Sequence, residues 1–232
     1  MITKSLILSN PLTKRLYPLF LHFLDGQNIE WKLQQLALEE TAKFVAANFN
    51  GVPAFKNDLE LLRHAFTFVK AQPNELFLEF GVYRGRTINF LAALTPEMVH
   101  GFDSFEGLPE TWRPKFEKGR FRVAHLPKVR SNVQLHKGWF ENSLPDFVKN
   151  HPGQIAFLHV DCDLYSSTKT IFNFLQKRIR AGTVIVFDEF FNYPGWQQGE
   201  FKAFNELIAE TGFRYEWLGY CCYHEQVAVL IK

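Results

Sequence analysis

From Glu75 onward the chain alternates short, unbroken apolar runs with amphipathic stretches, and this limits the fold more than any other feature. The runs are Leu76-Phe77-Leu78 into Glu79, Val99 to Asp103, Val133 to His136, Ile155 to Asp161, and Thr183 to Asp188. A strand without polar alternation is covered on both faces, which is the condition of a parallel sheet between helices. The intervening segments 85–94, 140–149, 166–180 and 197–211 read as helices, the third capped by Ser166 or Ser167 and the fourth stopped by Gly212. Strand–helix alternation predicts an α/β doubly wound fold with right-handed crossovers. Residues 213–218 and 226–231 lie too close for a crossover helix and predict an antiparallel hairpin at the sheet edge. Ahead of the sheet, apolar residues from Ile29 to Phe49 recur at spacings of three and four, and a second helix starts at Asn57 with Glu60 in capping-box position. Residues 1–70 thus form a helical segment before an α/β domain at 71–232.

Composition narrows the function. No run reaches 18 apolar residues, so no membrane-spanning helix is expected, and Met1 to Pro11 has no signal-peptide layout. Twenty-six Lys and Arg against 24 Asp and Glu give +2, which is no footprint for nucleic acid. Cys162, Cys221 and Cys222 form neither a disulfide framework nor a zinc pattern, as expected of thiols in a reducing cytoplasm. Aromatic residues are 16% of the chain, with 25 Phe, and they require a large core, a stacking surface or both. Residues 104–131 have no clear period and carry seven basic and three acidic residues, a net of +4. Such a stretch is either a solvated insert or a lid over an anionic or polar ligand.

Ligands of open α/β sheets bind at the carboxyl ends of the strands. Those ends are Glu79, Asp103, His136-Lys137-Gly138, Asp161 and Asp188. Gly81 and Gly85 allow a tight turn after the first strand. Tyr83 stands where the second glycine of a dinucleotide fingerprint belongs, which disfavours NAD and the oxidoreductase reading. Glu79 at this turn suits an ammonium-bearing ligand. Asp103, 18 residues past Gly85, is placed for a ribose diol. Asp161 and Asp188 end neighbouring strands, and with Glu189 they offer the oxygen ligands that Mg²⁺ prefers. His159 shares the strand face of Asp161. Trp139 and Phe140 could line an adenine slot, and Phe190, Phe191, Tyr193 and Trp196 an acceptor wall. Asp161-Cys162-Asp163 also resembles the DxD of metal-dependent nucleotide-sugar glycosyltransferases, a reading that leaves Glu79, Gly81, Gly85 and Asp103 without a role. A non-catalytic binding module is a further alternative.

Together these residues resemble the class I S-adenosylmethionine-dependent methyltransferases, and more narrowly the macrocin O-methyltransferase family of natural-product biosynthesis. The resemblance is carried by Glu79–Gly85, Gly101–Pro109, Gly138-Trp139-Phe140 with Leu144-Pro145, Asp161–Thr168 and Asp188-Glu189. It implies a mostly parallel, seven-stranded Rossmann-like sheet and metal-dependent methylation of a sugar hydroxyl, a catechol or other phenol being the alternative acceptor. It places Glu79, Gly81, Tyr83 and Gly85 around the methionine of the cofactor, Asp103 and Ser104 at the ribose, and Gly138, Trp139 and Phe140 at the adenine. Asp161, Asp188 and Glu189 would hold Mg²⁺ or another divalent cation. Family members usually carry Asp where Glu189 stands. Asp188, Asp161 and His159 are, in that order, the candidates for general base. The N-terminal segment would supply lid helices or a homodimer contact.

Overall fold

A computed structural model describes residues 28–232. In chain order the elements are α1 (Ile29–Asn48), β1 (Ala54–Phe55), α2 (Asp58–Phe66), β2 (Leu76–Phe80), α3 (Arg86–Ala92), β3 (Val99–Asp103), β4 (Val133–Lys137), α4 (Phe140–Asn150), β5 (Ile155–Val160), α5 (Tyr165–Leu175), β6 (Val184–Phe187), α6 (Glu200–Thr211), β7 (Tyr215–Cys221) and β8 (Val227–Ile231). The sheet runs β1-β7-β8-β6-β5-β2-β3-β4. The expected α/β doubly wound, mostly parallel architecture is present: β8 alone runs against its neighbours β6 and β7. The hairpin lies one strand in from where the sequence placed it, because the two-residue β1 pairs with β7 and forms the edge.

The chain winds from β2 outward through β3 to β4, then returns to β5 on the other side of β2. The crevice at this reversal is where open α/β sheets bind ligands. Side chains divide between two faces. Leu78, Phe80 and Phe102 pack with α4, α5 and α6, while Phe77, Phe157 and Val186 pack with α2 and α3. Both layers are dominated by fully buried aliphatic and aromatic residues.

Local chemistry sets the helix ends. Asn57 Oδ1 accepts from the Glu60 N–H at 2.9 Å, and Glu60 Oε2 accepts from the Lys56 N–H at 3.3 Å. Gly212 closes α6 in the left-handed region at φ 70°. The expected serine cap of α5 is absent: Leu164 is the capping residue, and Ser166 Oγ donates instead to Glu110 in the long loop. On α1 the packed stripe is Ala37, Thr41, Phe44 and Val45. Ile29, Leu33 and Leu36, which share the same helical spacing, point outward, Ile29 being 73% exposed.

One buried and one half-buried histidine join β3 and β4. His100 Nδ1 is 3.0 Å from His136 Nε2, and the His136 ring stacks on Phe102 at 4.5 Å. Burial first, and then the neighbouring imidazoles, push both His100 and His136 down to about 4. A folded-state value below the ordinary 6.5 means that protons bind the unfolded chain more readily. Stability from this pair is therefore complete above pH 6.5 and drains away toward about pH 4. Thermal unfolding should show stability falling as the pH drops through that window, by less than the full shifts imply because solvent screens these partly buried rings. The double variant His100→Gln, His136→Gln should flatten the slope, and an unchanged slope would refute the assignment.

Candidate active site

A cleft of about 320 Å³ opens at the carboxyl ends of β2, β3, β5 and β6. Its floor begins at the turn after β2. Gly81 has φ 93°, and a Cβ there would overlap the Asp161 carbonyl oxygen. Only glycine lets these two strand ends lie so close. Tyr83 at φ 48° and Asp163 at φ 63° also sit in the left-handed region, so two bulkier residues hold strained backbone at the cleft.

Asp103 secures the turn. Its Oδ2 accepts from the N–H groups of Val82 at 2.9 Å and Tyr83 at 2.7 Å, and its Oδ1 from Phe105 at 2.6 Å. It lines the cleft beside Ser104, whose hydroxyl accepts from the Glu106 N–H at 3.1 Å. Trp139 and Phe140 form one wall, with Phe140 edge-on to Phe80. Leu108, Pro109 and Phe121 of the long loop also line it.

The acidic end of the cleft holds Asp161, Asp163, Asp188 and Glu189. Burial and the Asp188 charge push Asp161 well above the ordinary carboxylate range. Burial and the surrounding acids do the same to Glu189, and Asp163 rises to about 7 through burial and the Asp188 charge. Asp188 alone among them is lowered: burial raises it, but His159 and the neighbouring Glu189 and Gln226 more than offset that. Behind them Glu200 is fully buried, and its Oε2 accepts from the Glu189 N–H at 3.0 Å. Ligand atoms of His159, Asp161 and Asp188 lie within 4.8 Å of one another. Glu189 does not join this convergence. Its side chain lies beside Asp188 and helps to lower it, while Glu189 Oε2 is buried with no hydrogen-bond partner.

Other expected site residues stand behind the cleft. Glu79 is fully buried and bonds to His159 and Thr87, so burial spends its carboxylate inside the protein instead of at the turn. Gly85 precedes α3 as its capping residue, and Gly138 follows β4 at φ 144°; neither lines the cleft. The expected acceptor wall is core. Phe190, Phe191, Tyr193 and Trp196 are all at least 97% buried, packed among Phe44, Phe49, Phe201 and Trp217.

The long loop is held by contacts that are distant in the chain. Arg113 makes a two-pronged contact with Glu225 in the β7–β8 turn at 3.0 and 3.2 Å, and its guanidinium lies 3.8 Å from the Trp112 ring. Lys115 reaches Glu30 on α1. The basic surplus noticed in this loop was the available signal, although its partner 112 residues away was not legible.

Residues 78–190, from β2 through the loop after β6, match the family described as a methyltransferase domain. A curated relative, the 8-demethyl-8-(2,3-dimethoxy-α-L-rhamnosyl)-tetracenomycin-C 4'-O-methyltransferase of Streptomyces olivaceus, is 29% identical over 143 residues, 51% of this chain and 53% of the relative. The chain thus spans about half the length of that relative. Among solved structures, the calicheamicin methyltransferase CalS11 superposes with a TM-score of 0.62 at 22% identity, covering 96% of this chain and 93% of that one. The O-methyltransferase NovP gives 0.58 at 22% identity, over 74% of this chain and 78% of that one.

Two substitutions test the site's construction. Gly81→Ala should cost on the order of 3 kcal/mol in chemical denaturation, because the methyl group has no space. Arg113→Ala should cost about 1–2 kcal/mol and speed proteolysis within 110–122; unchanged cleavage would show that the contact does not hold the loop. Residues 78–190 are thus similar to a methyltransferase domain, and the fold they belong to is a Rossmann-like, mostly parallel α/β sheet.

Proposed function

We propose that the protein transfers a methyl group from S-adenosylmethionine to a hydroxyl of a sugar or sugar-containing small molecule, with a divalent cation at the acidic end of the cleft. The observation that carries this reading is one continuous cleft, lined by Asp103, Trp139 and Phe140 at one end and Asp161 and Asp188 at the other. Its first half suits a nucleoside. Trp139 and Phe140 offer ring faces to adenine, and Asp103 and Ser104 present oxygens to ribose hydroxyls. Gly81 and Tyr83 border the methionine portion. Glu79, Gly85 and Gly138 support this end from behind, since the first two shape the β2–α3 turn and the third frees Trp139 from β4.

The second half fits a cation by its donor set. Four carboxylates line it, and three of them are held above their ordinary values by burial and mutual repulsion. Asp161 and Asp188 would hold the ion, with Mg²⁺ among the candidates. A bound cation there would supply a lowered hydroxyl pKa and fix the acceptor's orientation. Asp188 is the carboxylate that this chain keeps ionised, and it is therefore the base best placed to take the hydroxyl proton. Asp161, more reluctant to ionise, follows it.

The tetracenomycin relative is named for O-methylation on a rhamnosyl compound, which supports the sugar acceptor. The rings of loop 190–196, which would have suited a sugar or a phenol alike, are interior, so the preference for a sugar rests on the relative. We assign the chain to the macrocin O-methyltransferase type on the residues of the Asp161–Thr168 and Gly101–Pro109 segments, and the natural-product context rests on the same resemblance. Residues 71–232 would be the catalytic unit. Within 29–66, α1 contacts the loops of the ligand edge through Gln34 to Asn192 and Gln197 to Glu40, which favours a lid over a dimer contact. No helix among the described residues is long and apolar enough to cross a membrane.

The test is a screen of glycosides with methyl-labelled S-adenosylmethionine, alongside calorimetry with S-adenosylhomocysteine. Label transfer to a sugar hydroxyl is expected, and Asp188→Ala should lower it by at least 10³-fold, on the order of 4 kcal/mol, while binding of S-adenosylhomocysteine persists. Binding of a nucleotide sugar in place of S-adenosylhomocysteine would overturn the reading.

A further inference from the structure

Glu79 and His159 face each other across β2 and β5 in the register of the sheet. Both are fully buried. His159 Nδ1 lies 2.9 Å from Glu79 Oε2, and the Thr87 hydroxyl donates to Glu79 Oε1 at 3.1 Å. With both oxygens accepting, Glu79 takes the Nδ1 proton of the imidazole into its hydrogen bond and fixes the ring's orientation. The other ring nitrogen, Nε2, is buried and has no hydrogen-bond partner. It is aimed at the acidic end of the cleft, 3.9 Å from Asp188 Oδ1, which is too long for a hydrogen bond. Asp161 supplies the third corner, with all three ligand atoms within 4.8 Å. Donors about 2.1 Å from a common ion are about 3–4 Å apart, so this spacing has room for a cation between them.

We propose that His159 Nε2 joins Asp161 and Asp188 as the third protein ligand of a divalent-cation site, that Glu79 is the positioning residue that aims it, and that Glu189 is not a ligand. This rests on the proposed function only in placing a cation between Asp161 and Asp188. One imidazole with two carboxylates is a softer set than three carboxylates, and it favours Mn²⁺, Fe²⁺ or Co²⁺ over Mg²⁺. A buried carboxylate that orients a ligating histidine is a recurrent support in metal sites, worth 10–100-fold in affinity (roughly, across known sites). It also gives Glu79 a purpose, since that acid sits where a hydrophobic residue would fill the space without a desolvation cost.

The experiment loads the whole protein with Mn²⁺ and records electron spin-echo modulation, which detects nitrogen bound directly to the ion. Nitrogen modulation is expected in the wild type and in Glu189→Gln, and none in His159→Gln. Glu79→Gln should weaken Mn²⁺ binding about 10–100-fold with the circular dichroism spectrum unchanged. A wild-type spectrum without nitrogen coupling overturns the proposal, and this readout needs no variant that must fold. So does Mn²⁺ affinity lost in Glu189→Gln but kept in His159→Gln. Methyl transfer on the same samples separates the two readings. Transfer supported by Mg²⁺ without nitrogen coupling removes this inference and leaves the proposed function standing.

Discussion

Two parallel strands in register, β5 and β6, each end in an aspartate, and the rest of the site follows from the repulsion between them. Val160 pairs with Phe187, so Asp161 and Asp188 leave the sheet side by side. Away from water, like charges at such range raise each other's pKa strongly. Asp163, Glu189 and Glu200 add to the crowding. The protein's own compensation is small. His159, backed by Glu79, favours the ionised form of Asp188, and Arg113 gives a more distant positive charge to Asp163. A site with this imbalance is a receptor for positive charge, and the proposed sulfonium cofactor and divalent cation would both be of that kind.

The aromatic surplus serves this arrangement from the rear. Phe44, Phe49, Phe190, Trp196, Phe201 and Trp217 interlock at ring separations of 4.8 to 6.5 Å. Edge-to-face contacts contribute about 0.5–1.5 kcal/mol each beyond the area they bury. Together they clamp the segment after Glu189 against α1 and α6. The segment that follows Asp188 and Glu189 is thereby packed as the core is, although it belongs to no regular element.

Much of the fold was legible because its signals are local. Apolar runs marked the five mutually parallel strands β2 to β6 to within one or two residues, and Asn57 and Gly212 marked helix ends by their own chemistry. The aspartates at strand ends were legible for the same reason, since the fold assigns the ends a role. What failed was non-local. The ring run 190–196 looked like a cleft wall, but α1 covers it, and no spacing in the sequence states that. Glu79 was read as facing a ligand, whereas the register of β2 against β5 turns it to His159, 80 residues away. Arg113 was one cation among seven until the hairpin turn placed Glu225 beside it.

The position of β8 governs when this site can exist during synthesis. β8 pairs with β6 on one side and β7 on the other, so an interior strand of the sheet is made from residues 227–231. Its antiparallel course puts the preceding turn at the ligand edge, where the Glu225 carbonyl accepts from the Phe190 N–H at 3.0 Å and its carboxylate holds Arg113. A growing chain that has emerged only as far as β7 therefore has all the acids of the cleft but neither the strand that covers β6 nor the anchor of the long loop. Until residue 231 has emerged, β6 lacks its partner on that side and presents an open strand edge.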